Sequence, residues 1–392
     1  MRVAIVHYWM VSYRGGERVV EELCTLFPQA HIYTHVVDPA VLSPELSKRE
    51  IRTTFINRLP FARKLYRHYV PLMPRALEEL DLRNYDLVIS SESGPAKGVI
   101  TGTRTLHICY CHSPMRYLWG MYHEYRENAS WLTRTAMSPL FHRMRLWDLA
   151  SAARVDHFVA NSTEVGRRIR KIYRREADVI HPPVSTSDFA PAAEPGDFYL
   201  YCGQLVPYKR ADLAVEAFNR MRKPLVVIGG GDELAKIRKM AGPTVTVLGA
   251  QPFPVLRHHY SRCRALIFPG EEDFGIVPVE AMASGRPVIA YGAGGVLDTV
   301  IDGKTGILFP EQTVDAIIRA VGEFEAAQDR FRPEALVAHA RRFDRERFRD
   351  SMSRLIEKML AATDGSPAPR TSGAMSQREL RPAHESFSPA IK

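Results

Sequence analysis

Two runs of alternating short strand and helix, separated by a proline-rich break, leave this sequence few folds to choose from. The first run opens with Val3-Ala-Ile-Val6, followed by a polar loop holding Gly15-Gly16 and a helical stretch from Glu17 to Leu26. Residues 87–90, 106–109 and 158–160 repeat the short apolar strand pattern, with helical stretches between them. Strands that are apolar throughout are buried on both faces, and intervening helices supply the crossovers of a parallel sheet. The rhythm pauses at Pro182-Pro183 and over 191–196, so residues 182–197 read as a linker. It then resumes with a strand at 198–202, a helix at 211–221 and a strand at 225–228 running into Gly229-Gly230-Gly231. A helix at 233–240 and strands at 244–248 and 265–268 follow, then a helix at 276–283 stopped by Ser284-Gly285 and a strand at 287–290. The pattern predicts an α/β chain of two Rossmann-like, doubly wound domains. In such sheets ligands bind at the carboxyl ends of the strands, so the loops after strands are where chemistry belongs.

Composition narrows the function classes. With 392 residues, 45% hydrophobic and 25% charged, the chain is long enough for two cores that need no staples. Five cysteines without a CxxC pair argue against a disulfide framework and for a reducing compartment. No run of about 18 apolar residues is present, and the first residues carry a strand pattern in place of a secretory leader. We therefore expect a cytoplasmic protein, not a secreted, fibrous or membrane-spanning one. The net charge of +9 is uneven: residues 1–190 carry 26 Lys and Arg against 19 Asp and Glu, while residues 191–364 carry 23 of each. A basic front half points to an anionic partner on that half. The richest segment is 48–75, where Lys48, Arg49, Arg52, Arg58, Arg63, Lys64, Arg67 and Arg75 interleave with Phe55, Leu59, Phe61, Leu65 and Leu72. That mixture suits an anionic membrane interface, or equally an amphipathic helix packed on its domain. Arg167-Arg168-x-Arg170-Lys171 is a second basic run. No nucleic-acid-binding module accompanies the charge, so no nucleic acid is expected. From 364 to 392 the sequence turns to Ser, Pro, Ala and Arg, a composition read as a disordered tail.

Candidate chemistry concentrates in Glu272-Asp-Phe-Gly-Ile-Val-Pro-Val-Glu280-Ala-Met-Ala-Ser-Gly285. Glu272 stands just before a helix and Glu280 inside it. Gly275 and Ile276 mark the helix start, where unpaired N–H groups attract a phosphate. Glu280 is placed to accept hydrogen bonds from vicinal ribose hydroxyls, and Glu272 to reach a sugar. Gly15-Gly16 opens a helix after the first strand, either admitting a diphosphate against backbone amides or merely turning the chain. The sequence His107-x-Cys109-x-Cys111-His112 invites a zinc site, but strand alternation sends His112 to the opposite face and the C-x(2–4)-C spacing is absent. No Asp-x-Asp pair is present to hold a divalent metal on a diphosphate, so no metal is expected.

Together these segments resemble the family 4 glycosyltransferases, retaining nucleotide-sugar enzymes of the GT-B fold, in which two Rossmann-like domains face a central cleft. The similarity covers roughly residues 1–360 and includes Gly15-Gly16, Cys111-His112-Ser113-Pro114, Asn161-Ser162, the 179–184 segment, Gly203-Gln-Leu-Val-Pro-Tyr-Lys-Arg210 and Gly294-Gly295. Pro207-Tyr-Lys-Arg210 and Pro182-Pro-Val184 look most like the bacterial mannosyltransferase branch that builds polysaccharide or O-antigen units. The resemblance implies an acceptor-binding domain over 1–185 and a nucleotide-sugar domain over 198–343. We also expect a helix over 344–363 packing back on the first domain.

By the same resemblance, His112 lies beside the donor sugar, Glu272 holds its hydroxyls, and Lys209 neutralises the leaving diphosphate. Glu280 holds ribose, Gly230 lines the base pocket, and Gly294 and Gly295 aim amides at the phosphates. Gln204 departs from the family, which has an arginine there, and so removes a bidentate contact and a charge. Arg210 is the candidate to compensate. The expected reaction moves a hexose, mannose from GDP-mannose, to a lipid-linked oligosaccharide on a polyprenyl diphosphate, at the inner face of the plasma membrane. It needs no cofactor or metal. A UDP-sugar donor is the alternative. Gln204 also favours a non-catalytic nucleotide-sugar-binding partner in a polysaccharide assembly complex, whereas an epimerase or phosphorylase needs machinery not visible in the sequence.

Overall fold

The computed structural model describes residues 1–127 and 130–363; the tail expected over 364–392 lies outside them. Among the described residues, thirteen strands fall into two parallel sheets. The first comprises β1 (Val3–His7), β2 (His31–Thr34), β3 (Ile51–Thr53), β4 (Leu87–Glu92), β5 (Leu106–Cys111), β6 (His157–Ala160) and β7 (Ala177–Val179), in the spatial order β3-β2-β1-β4-β5-β6-β7. The second comprises β8 (Tyr199–Cys202), β9 (Leu225–Ile228), β10 (Val245–Gly249), β11 (Leu266–Phe268), β12 (Val288–Tyr291) and β13 (Gly306–Phe309), ordered β10-β9-β8-β11-β12-β13. Strand order reverses direction between β1 and β4 and again between β8 and β11. These switch points open crevices at the carboxyl ends of the strands.

β1, β4 and β5 are buried at every residue, as sheets covered by helices on both faces require. The edge strands β3 and β7 carry no apolar run to announce them: β7 is Ala-Asp-Val with two exposed residues, and β3 has none buried. Residues 182–197, expected as a bare linker, are partly built into the second domain, where Val184 and Phe189 join its core. The segment 55–78 is not one amphipathic helix. It breaks into 3-10 turns at Phe55–Arg58 and Tyr66–Leu72 and short helices at Ala62–Leu65 and Met73–Glu78, with Phe61 in the left-handed region at φ 51°.

After the second domain the chain crosses back at Val184, whose N–H donates to Phe343 O at 2.9 Å. The last helix, Arg345–Thr363, then packs on the first domain. Phe348, Met352, Leu355 and Ile356 recur at helical spacing and enter one core with Val3, Ile5, Val19 and Val20. Buried Glu22 fixes the register by accepting from Arg345 and, at 2.7 Å, from Arg349. Met352 is fully buried, so Met352→Ala is expected to cost about 2–5 kcal/mol in urea denaturation. A cost under about 1 kcal/mol would show that the strap is dispensable.

Candidate functional site

The two switch points face each other. From the second domain, β11 leads into the acidic loop 271–273, and Phe274 anchors that loop in the core. Gly275, at φ 93°, turns the chain into the helix Ile276–Ala283. Only glycine adopts that backbone without strain, and the turn leaves the first amides of the helix unbonded at the cleft. Beside them Glu272 Oε1 lies 2.7 Å from Lys209 Nζ, which projects from the turn after β8. Burial pulls the lysine pKa down, but Glu272 more than offsets it, so the net shift is upward and Lys209 stays cationic. One turn into the helix, buried Glu280 accepts from Tyr260 OH at 3.0 Å and from Arg18 at 3.1 Å.

The first domain supplies the opposite wall. Gly15 abuts the helix start so closely that a Cβ on it would lie 2.8 Å from Ile276 Cδ1, and one on Gly16 would lie 2.6 Å from Tyr8 OH. His112, after β5, has its Nε2 2.8 Å from Ser91 Oγ, while its N–H donates to Glu92 O at 2.8 Å. Burial, with His7 nearby, pushes the His112 pKa down to about 3. Its imidazole is therefore neutral at physiological pH, with Nδ1 left for a ligand.

Four further residues clasp the walls together. Arg168 donates to Asp273, Arg116 lies 3.6 Å from the same carboxylate, Ser162 OH donates to Asp273 O, and Thr163 N–H donates to Asp298 at 2.7 Å.

Two family models divide the chain between them: glycosyltransferase family 4 matches residues 13–188, and glycosyl transferases group 1 matches residues 186–342. The chain belongs to the family 4 glycosyltransferases. A D-inositol 3-phosphate glycosyltransferase of Mycobacteroides abscessus is 28% identical over 58% of this chain and 57% of its own. A GDP-mannose-dependent alpha-(1-6)-phosphatidylinositol monomannoside mannosyltransferase of Mycolicibacterium smegmatis is 31% identical over 39% of this chain and 45% of its own. The chain thus spans about half the length of the curated relatives it matches. The fold itself recurs in a sucrose-phosphate synthase of Thermosynechococcus elongatus, with TM-score 0.68 and 20% identity, over 92% of this chain and 100% of that one. It recurs also in Anabaena HepE in complex with UDP and glucose, with TM-score 0.67 and 15% identity, over 91% of this chain and 99% of that one. These neighbours are GT-B proteins, and the two facing sheets here are the GT-B architecture.

Within that family 4 frame, Gly15 meets Ile276 at the start of the helix that Gly275 opens and that carries Glu280, and Lys209 pairs with Glu272. Gly16 lies against Tyr8 and His7, and His7 Nδ1 shares Ser91 Oγ with His112. Other expected roles need correction. Arg210 does not compensate for Gln204: it sits at φ 53° at the start of the helix Ala211–Met221 and its guanidinium turns onto Asp212 at 3.1 Å. Gly295 has no amide to spare for phosphate, because its N–H donates to Glu272 O at 2.8 Å. A Cβ there would lie 2.2 Å from Asp273 O, and one on Gly294 would lie 2.6 Å from Glu272 O, so this pair cradles the acidic loop. Gly230 is not among these corrections: its O accepts from Leu205 N–H at 2.8 Å, which ties the loop after β9 to the loop bearing Gln204.

The basic run 167–171 is not a free patch either. Arg168 belongs to the clasp, Arg167 pairs with Glu164, and Arg170 pairs with Glu176 at 2.5 Å. His107 Nε2 is 2.9 Å from Ser90 Oγ, and among the described residues no three His, Cys, Asp or Glu side chains are grouped to hold a metal ion. The sequence reading missed Arg14, Arg18 and Arg116 and took Arg168 only as part of a basic run; the partners of all four lie 100 or more residues away on the other domain. Arg18 and Arg116 carried no signal at all; Arg14, directly before Gly15-Gly16, carried one in its position.

Proposed function

We propose that the chain is a retaining glycosyltransferase that moves a hexose from a nucleotide-sugar, with GDP-mannose as donor, to a lipid-linked glycan in bacterial polysaccharide synthesis. The observation that carries the reading is the Glu272–Lys209 pair beside the bare start of the helix Ile276–Ala283, closed over by Gly15. A diphosphate seated there meets a cation and several amides, and its charge grows as the glycosidic bond breaks, so these groups stabilise the transition state more than the ground state. That charge supply makes a metal unnecessary in this reading. As Lys209 turns to phosphate, Glu272 is released for sugar hydroxyls, with neutral His112 Nδ1 opposite. Retention follows if the acceptor attacks from the face the diphosphate leaves, giving its proton to the departing phosphate oxygen.

Mannose and guanine are favoured by the GDP-mannose-dependent relative; the complex of HepE with UDP keeps a UDP-sugar as the other arm of the test. A peripheral membrane contact is favoured by exposed Phe61, Leu65 and Leu72 beside Lys64 and Arg67. Among the described residues no helix is long and apolar enough to cross a membrane.

Thermal shift without added metal, against GDP, UDP, ADP and their sugars, tests the donor. At a hundredfold excess over Kd, a ligand adds about 2.7 kcal/mol of stability. A shift specific to GDP and GDP-mannose is expected, and Glu280→Ala, which removes the ribose carboxylate, is expected to abolish it. A shift confined to UDP compounds would overturn mannose and keep the reaction class. No shift with any of them would sink the donor site.

A further inference from the structure

The resemblance implies a second phosphate-facing cation at position 204, where this chain has Gln204, and a different arginine reaches that residue from the opposite wall. Arg14 NH1 crosses the cleft and donates to Gln204 Oε1 at 3.0 Å. Gln204 directly follows Gly203, where a Cβ would lie 3.8 Å from Lys209 Nζ, so the amide that anchors Arg14 stands on the loop that Lys209 packs against. On its other side Arg14 is followed by Gly15, packed against Ile276 at the start of the phosphate-facing helix. The backbone is fixed as well, since Arg14 N–H donates to Glu17 Oε2 at 2.9 Å.

The other arginines in or beside the cleft are committed to carboxylates: Arg18 to Glu280 at 3.1 Å, Arg116 to Asp273 at 3.6 Å, Arg168 to Asp273, and Arg210, turned away, to Asp212 at 3.1 Å. Among the described residues Arg14 alone of these five has no carboxylate partner; its guanidinium rests on a neutral amide. An uncharged anchor positions a guanidinium without neutralising it, and leaves its remaining N–H groups to an incoming anion.

We propose that Arg14 is the second diphosphate-binding cation of this site, supplied from the first domain in place of the arginine that position 204 lacks, and that Gln204 is its positioning residue. The inference rests on the nucleotide-sugar reading above and deepens it. It makes the full positive charge on the leaving group depend on closure, because the cation and its anchor lie on opposite walls. A donor in an open cleft meets Lys209 alone.

Titration calorimetry with GDP, UDP, guanosine and uridine on the wild type, Arg14→Ala and Arg14→Ala/Gln204→Arg tests this. Arg14 is exposed, so its truncation leaves the core intact. The expected result is a loss of about tenfold or more in nucleoside diphosphate affinity in Arg14→Ala, unchanged affinity for the nucleoside, and recovery when Gln204→Arg restores a guanidinium from the second domain. Unchanged diphosphate affinity in Arg14→Ala overturns the proposal. So does an equal loss for the nucleoside, which would make Arg14 a wall tie only, and so does a selective loss that Gln204→Arg leaves unrepaired. Wild-type protein that binds neither GDP nor UDP overturns the donor-site reading itself, and this inference with it.

Discussion

Lys97→Met is expected to destabilise the protein by about 3–5 kcal/mol at pH 8 and to give part of that back on acidification. Lys97, Glu92 and Asp148 are fully buried. Lys97 Nζ donates to Glu92 Oε1 at 2.7 Å and to Asp148; Trp119 Nε1 donates to Asp148 at 2.7 Å, and Tyr173 OH at 3.0 Å. One buried ammonium therefore balances two buried carboxylates, and its removal leaves them without a countercharge. Burial raises the Glu92 pKa even with Lys97 present, and Lys97 is the strongest influence lowering it. For an acid whose folded pKa lies above its unfolded value, the native state binds more protons between the two values, so stability rises as pH falls through that window. Losing Lys97 lifts the folded value further and widens the window upward. Urea denaturation at pH 8 and pH 5.5 reads both effects: the deficit of the variant relative to wild type shrinks at the lower pH. A variant as stable as wild type at pH 8 would show that the cluster carries no net charge debt. The cluster matters beyond stability, since it fixes the end of β4, and Glu92 O there holds the His112 amide.

No residue of that cluster is legible in the sequence, where Lys97 and Asp148 stand 51 positions apart. The same division runs through the whole molecule. The central strands announce themselves because burial on both faces demands uninterrupted apolar runs, and 198–202, 225–228 and the helix 276–283 are read nearly to the residue. The edge strands escape because one flank meets solvent and tolerates Asp178 or Arg52. At the site, the 272–280 segment is legible because one loop and one helix carry the carboxylates and the anion-binding amides together. The pairing of walls is not: Arg18 with Glu280, Arg168 with Asp273 and Arg14 with Gln204 depend on how two domains meet, which no local pattern records. Arg210 misleads for a local reason, the left-handed backbone that turns its side chain away from the cleft.

Lys209→Ala is expected to lower kcat for donor turnover roughly 100- to 1,000-fold, with a smaller change in donor KM. The asymmetry follows from where the charge acts. In the ground state the lysine already has a partner, Glu272, at 2.7 Å, so binding a diphosphate exchanges one ion pair for another and gains little. As the bond to the sugar breaks, the diphosphate takes on negative charge that Glu272 never had, and only then does the lysine outbid its resting partner. Position 204 offers a neutral amide, so within the second domain only helix amides share the load with the lysine. Stability is expected to change by no more than about 1 kcal/mol, since both side chains remain partly open to solvent and the ion pair is screened there. Lys209→Arg keeps the charge but not the compact ammonium and recovers part of the rate. Steady-state kinetics with the donor identified by thermal shift separates the cases. A kcat within threefold of wild type in Lys209→Ala would remove the lysine from the reaction, and a loss carried wholly by KM would make it a binding group that the transition state does not distinguish.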